Sequence, residues 1–202
     1  MSNGIAARQN EPDSINKLAA YKQLYQEVGY LGYLSFILSV VMPMFFAVLC
    51  FVFDSNIAVR NISYLSTIAI CILSVWLENQ KQRKKQLASS IQLLFDIYVF
   101  DMDWDKKLFG INKNLNSIIV QKASKYLKKK SRKQYIFNWY NPLVDNCSSE
   151  IGIRECQKEN IRWDLELRKR IRLLSIAIIA TICLIITFLC SLINSHIVEV
   201  YS

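Results

Sequence analysis

Seven residues in the second half of the chain have side chains suited to holding a nucleotide: Trp104, Trp139, Tyr140, Arg154, Gln157, Trp163 and Arg168. Aromatic rings stack on bases, guanidinium forks pair with phosphates, and polar members add hydrogen bonds. The same aromatics also serve as core or interface anchors. A run of cations, Lys128, Lys129, Lys130, Arg132 and Lys133, suits anionic lipid heads, nucleic acid or simple solvation. Asp101, Asp103 and Asp105 alternate as a cation-binding turn does, but the glycine and terminal glutamate of an EF-hand loop are missing. They read more simply as a solvated acidic turn. There is no nucleophile elbow, phosphate-binding Walker loop, dinucleotide fingerprint or HExxH pattern. His196 is the single histidine, so no Cys/His spacing for zinc exists, and the six cysteines are expected as thiols. The sequence predicts neither an enzyme nor a cofactor.

The elements that must position these residues are helices, and several belong in a membrane. Hydrophobic residues make up 52% of the 202, and they cluster in long uncharged runs that a soluble core does not need. A bilayer core of about 30 Å takes roughly 20 apolar residues in helix. Three runs qualify: 28–53, with Pro43 predicting a kink; 61–77, bounded by Arg60 and Glu78; and 173–194. The short link between the first two predicts a helical hairpin. The expected architecture is an all-α integral membrane protein with three transmembrane helices. Residues 1–27 form an N-terminal segment without the pattern of a secretory signal, and residues 195–202 form a short tail.

Charge sets the expected orientation. The stretch from Glu78 to Arg172 holds 21 of the 25 lysines and arginines; the others are Arg8, Lys17, Lys22 and Arg60. By the positive-inside rule, residues 78–172 face the cytoplasm, as do residues 1–27, two spans away. No span carries Asp, Glu, Lys or Arg, which argues against a coupled transporter. Ser35 and Ser39, then Ser63, Thr67 and Cys71, then Thr187 and Ser191, form small polar stripes. They suit either a pore lining or close helix packing with hydroxyls bonded to the preceding turn.

Between the second and third spans the pattern stays helical. Leu87, Ile91, Leu94, Phe95 and Tyr98 repeat on one face; Leu115, Ile119, Ala123 and Tyr126 mark a second amphipathic helix. Gly110 favours a turn and Asn141-Pro142 a stop. From Ser148 onward a helix is expected to run directly into the third span.

Several segments together resemble the SMODS-associated four-transmembrane (S-4TM) family. They are Ile5 with Arg8-Gln9-Asn10, Leu18-Ala19-Ala20 and Leu24-Tyr25; Phe95 to Phe100 followed by Asp103-Trp104-Asp105; Trp139-Tyr140-Asn141-Pro142; and Cys156 to Asp164 followed by Leu167-Arg168. The resemblance covers nearly the whole chain. It implies an antiphage effector, functionally linked to a nucleotidyltransferase that makes a cyclic oligonucleotide. The effector is expected to oligomerise in the bacterial inner membrane and permeabilise it. The resemblance implies four spans, and this sequence is expected to carry three of them, as a fragment or as a natural short form. A different class of function also fits the residues: a non-gated membrane scaffold whose basic segment binds a partner protein or anionic lipid. A tethered nucleic-acid binder is the third and least favoured reading.

Overall fold

The computed structural model describes residues 2–53, 56–103 and 115–201, with side chains described as far as Leu184 and again at Thr187, Phe51 and Lys130 excepted. The described residues are predominantly helical, with no strand among them. They divide into two units, 1–149 and 150–202.

The first unit begins with a single turn, α1 (Ile5–Arg8). Pro12 then opens α2 (Pro12–Phe36) at the position where its missing N–H costs nothing, and Asp13 complements the positive helix end. The helix does not stop at Phe36. It passes through one π turn, Ile37–Val41, into α3 (Met42–Val52). The Met42 N–H bonds the Ile37 carbonyl, five residues back. Pro43 is the cause: it can neither donate to a carbonyl four residues earlier nor tolerate it close by, so the chain widens for one turn. The kink expected at Pro43 is thus realised as a π turn just before it.

Asn56 starts α4 (Ile57–Val99) by accepting from the Ala58 and Val59 N–H groups at 3.0 and 3.3 Å. At 43 residues, α4 is about 64 Å long, twice the thickness of a bilayer core. It ends in a left-handed residue, Asp101 (φ 55°), while the Met102 N–H reaches back to the Ile97 carbonyl. Helix α5 (Leu115–Leu127) and two short 3-10 segments, Lys130–Tyr135 and Pro142–Asn146, complete the unit. Asn141 caps the second by accepting from the Leu143 N–H at 3.0 Å.

Two environments share these helices. In the first half of α2 the residues Ile15, Leu18, Ala19 and Leu24 are buried, as are Ala88, Ile91, Phe95 and Val99 in the last turns of α4. The α5 positions Leu115, Ile119, Ala123 and Tyr126 are buried as their spacing predicts. Together, α2, α4 and α5 form a polar bundle around this core. The buried face of α4 is turned slightly from the expected one. Tyr98 lies outside the core and its hydroxyl donates to Glu11, because α1 and the start of α2 draw that edge toward polar partners.

Beyond the bundle the same helices expose their apolar residues. Tyr33, Phe45 and Val48 on α2–α3 and Ile62, Leu65, Ile68, Ile72 and Trp76 on α4 all face outward. Pro12–Cys50 and Ile57–Val99 are each long and apolar enough to cross a membrane. So large an exposed apolar surface calls for lipid or for further copies of the chain. Hydroxyls there turn inward on their own helix: Ser63 donates to the Val59 carbonyl and Thr67 to the Ser63 carbonyl, both at 2.9 Å. These two hydroxyls are satisfied locally, as close helix packing expects, while the buried Ser74 hydroxyl has no partner among the described residues.

The second unit is one helix, α6 (Ser149–Tyr201), unbroken through the expected third span. Most side chains of that span beyond Leu184 lie outside the described residues. Two of the three expected spans therefore fall on helices that qualify by length and composition.

Candidate functional site

Glu27 is the last charged residue before the first apolar run. Alone on its stretch of α2, it meets three lysines from the neighbouring helices. Lys84 of α4 bonds it closely. Lys122 of α5 donates to both carboxylate oxygens at 2.8 Å, and Lys125, one turn on, reaches Oε1 at 3.4 Å. Gln23 adds an amide donor at 3.3 Å. The groups line a cavity of about 550 Å³ together with Gln26 and Tyr30. Glu27 is the single carboxylate lining it, so the cavity is cationic overall.

The sequence prepares this arrangement locally. Lys122 and Lys125 lie three apart on α5, and their helix buries Ile119, Ala123 and Tyr126 on the adjacent stripe. Lys84 sits four residues before Ala88, which anchors α4 in the core. Sequence reading singled out the lysine run at 128–133 and passed over this cluster, because its four members come from three distant segments.

Burial acts to raise the Glu27 carboxyl, but hydrogen bonds from Lys122, Lys84 and Gln23 outweigh it and hold it at about 2, against an ordinary 4.5. A carboxyl depressed in this way stabilises the fold fully above about 4.5, and the contribution is lost as pH falls toward about 2. Glu27→Gln is therefore expected to lower thermal stability at pH 7 and to differ progressively less from the parent below pH 4.5. Melting curves across pH check this; a constant difference down to pH 2.5 would contradict the pairing.

The seven residues expected at a ligand are distributed differently. Trp104 lies outside the described residues. Trp139 packs edge-on to Tyr21 at 6.0 Å, with the Lys22 ammonium 4.5 Å from its ring centroid; burial pushes that ammonium's pKa down. Tyr140 is in the core. Its ring is fully buried against Phe95 and Phe100, and its hydroxyl donates to Asp96 Oδ1 at 2.7 Å. Arg154, Gln157, Trp163 and Arg168 are on α6. Trp163 is exposed there, and Arg168 pairs with Asp164 at 2.7 Å. Trp139 and Tyr140 thus share one unit and the four α6 residues the other.

Tyr140 closes a second polar centre. The buried Gln9 side chain donates to the Tyr140 carbonyl at 3.1 Å and accepts from its N–H at 2.7 Å. Asn10 accepts from the Asn138 N–H at 2.9 Å, and Arg8 donates to the Val99 carbonyl at 2.8 Å. Asp145 accepts from the Ala6 N–H at 2.9 Å. Residues Ala6 to Asn10 are thereby tied to the C-terminal end of α4, to the Asn138–Tyr140 backbone and to the second 3-10 segment.

Among the described residues, a polar, lysine-rich helical bundle continuous with two membrane-length apolar helices marks a helical membrane protein. The model of the SMODS-associating 4TM effector domain matches residues 3–200, and the chain belongs to that family of membrane effectors. No curated protein and no solved structure matches it.

Proposed function

We propose that this chain is the membrane effector of a cyclic-oligonucleotide antiphage signal, of the CBASS type, and that it assembles as a homo-oligomer to permeabilise the bacterial inner membrane. Residues 1–27 and 78–172 face the cytoplasm; 28–53, 61–77 and 173–194 span, with 195–202 beyond. The partner system is a nucleotidyltransferase that makes the signal. One observation carries this reading: α2–α3 and α4 each run without a break from the polar bundle into an apolar, outward-facing stretch. A change in the bundle is therefore passed along continuous helix into the spans, through the π turn at Ile37–Val41 in the first of them. The signal acts by preferring one arrangement of those helices; shifting a resting population of about 1% to about 99% takes a preference of about 10⁴-fold.

Membrane potential in bacteria expressing the chain tests this directly. Depolarisation is expected only with an active cyclic-oligonucleotide synthase alongside. Trp163→Ala and Arg168→Ala are expected to abolish it at equal protein level if the α6 residues contact the signal. An unchanged potential in all cases refutes gated permeabilisation. The second reading, a non-gated scaffold docking anionic lipid or a partner protein, is favoured by the exposure of Lys128, Lys129 and Lys133 and predicts that unchanged potential.

A further inference from the structure

The cationic cavity around Glu27 has the size and the chemistry of a site for a phosphate. Its volume is about 550 Å³, in a groove that stays open to solvent. Lys84, Lys122 and Lys125 come from two helices and converge on one point, where a carboxylate of a third helix takes all three contacts. Ammonium groups brought together in this way need a multiply accepting anion. A carboxylate offers two oxygens and a single charge. A phosphate ester offers at least as much charge, more oxygens, and a tetrahedral spread that suits donors arriving from different helices. Gln23, Gln26 and Tyr30 supply the neutral hydrogen-bonding groups that orient the rest of such a molecule.

The placement gives the site a consequence. Glu27 directly precedes the apolar run starting at Val28, and Lys84 follows the end of the second apolar run by two helical turns. Whatever binds here touches the roots of both membrane-length helices at once.

We propose that this cavity binds a phosphate ester through Lys84, Lys122 and Lys125, and that Glu27 is its internal competitor, which holds the same three lysines and yields them to the ligand. The site stands on the geometry alone; only the assignment of the phosphate to a soluble signal rests on the function proposed above. A lipid headgroup carries the same chemistry. Binding releases Glu27 from α4 and α5 and so loosens α2 from both, which makes the exchange a switch at the base of the spans.

The test uses the full chain in nanodiscs of neutral phosphatidylcholine, titrated by calorimetry with pyrophosphate and with cyclic di- and trinucleotides. At least one probe is expected to bind. Lys122→Gln should weaken it about tenfold or more, the effect of one charge-assisted contact, and Glu27→Gln should tighten it. Lys125 is 62% exposed and makes one long contact, so Lys125→Gln should weaken binding several-fold while leaving the melting temperature of the chain unchanged. That variant separates ligand loss from misfolding. A parallel arm replaces the lipid by phosphatidylglycerol. Stabilisation by that lipid, lost in Lys122→Gln and Lys125→Gln, with no soluble probe binding, supports the phosphate site and assigns it to the membrane surface. If neither source binds, or if binding ignores all three substitutions, the proposal is overturned. None of these readouts needs a conducting pore, so a failed depolarisation experiment and a failed binding experiment are distinguishable.

Discussion

Tyr140→Ala is expected to destabilise the polar bundle by about 3–5 kcal/mol, the cost of deleting a large aromatic side chain from a packed core. The ring is fully buried, with its centroid 5.5 Å from that of Phe100 and 6.1 Å from that of Phe95. Its removal leaves a cavity between the last turns of α4 and the segment that the Gln9 side chain grips. Losses of this size are a large share of what holds a domain of such length together, so the variant should melt early or fail to accumulate. Tyr140→Phe isolates the hydroxyl. It keeps the ring and removes the donor to Asp96, and about 1–2 kcal/mol is expected from that change. Thermal unfolding in detergent, followed by tryptophan fluorescence, checks both. If Tyr140→Ala melts with the parent yet abolishes signal-dependent depolarisation, the residue works through ligand contact and not through the core.

Asp96→Asn should do the opposite and stabilise the bundle at neutral pH. Burial pushes the Asp96 carboxyl up to about 6 from an ordinary 3.8, and the hydrogen bond from Tyr140 only partly offsets this. The folded state therefore holds its proton over a pH range in which the unfolded chain has lost it. Stability falls as pH rises from about 3.8 to about 6, and the whole penalty is present above that. Its size is on the order of 2–3 kcal/mol. Asparagine keeps an oxygen for the Tyr140 hydroxyl and has no charge to desolvate. The gain from Asp96→Asn should therefore be full at pH 7.5, about half at pH 5, and nearly gone by about pH 3. Parallel melting curves for parent and variant across that range would show that the carboxylate is well solvated in the fold. Glu27 titrates lower and in the opposite sense, so the two contributions separate along the pH axis.

Within the first unit, several of the segments that resemble the S-4TM family meet. Arg8, Gln9 and Asn10 bond the end of α4 and the Asn138–Tyr140 backbone; Phe95, Asp96 and Phe100 surround the Tyr140 ring. These residues read in sequence as scattered short motifs, and in space they form one knot. That convergence explains Trp139-Tyr140-Asn141-Pro142 in structural terms: Trp139 covers α2 beside Lys22, Tyr140 fills the core, and Asn141 caps the turn that Pro142 begins.

Periodicity and the absence of charge were enough to determine the helical class, the two apolar runs that lie on membrane-length helices, the unbroken helix from residue 149, and the buried face of α5. Each of these depends on neighbours within three or four positions, a range over which sequence spacing and spatial proximity are the same thing. Sequence spacing also located the backbone disturbance at Pro43, since a proline acts on the turn directly before it. The ion cluster at Glu27 and the latch of Gln9 onto Tyr140 had no such signal. Their members are separated by 57 to 98 and by 131 positions, and nothing in a lysine or a glutamine says which distant group it will face. The tertiary structure alone decided those pairings. Packing of α2 against α4 and α5 took these polar side chains partly out of water, and there each had to find a partner or cost the fold its desolvation.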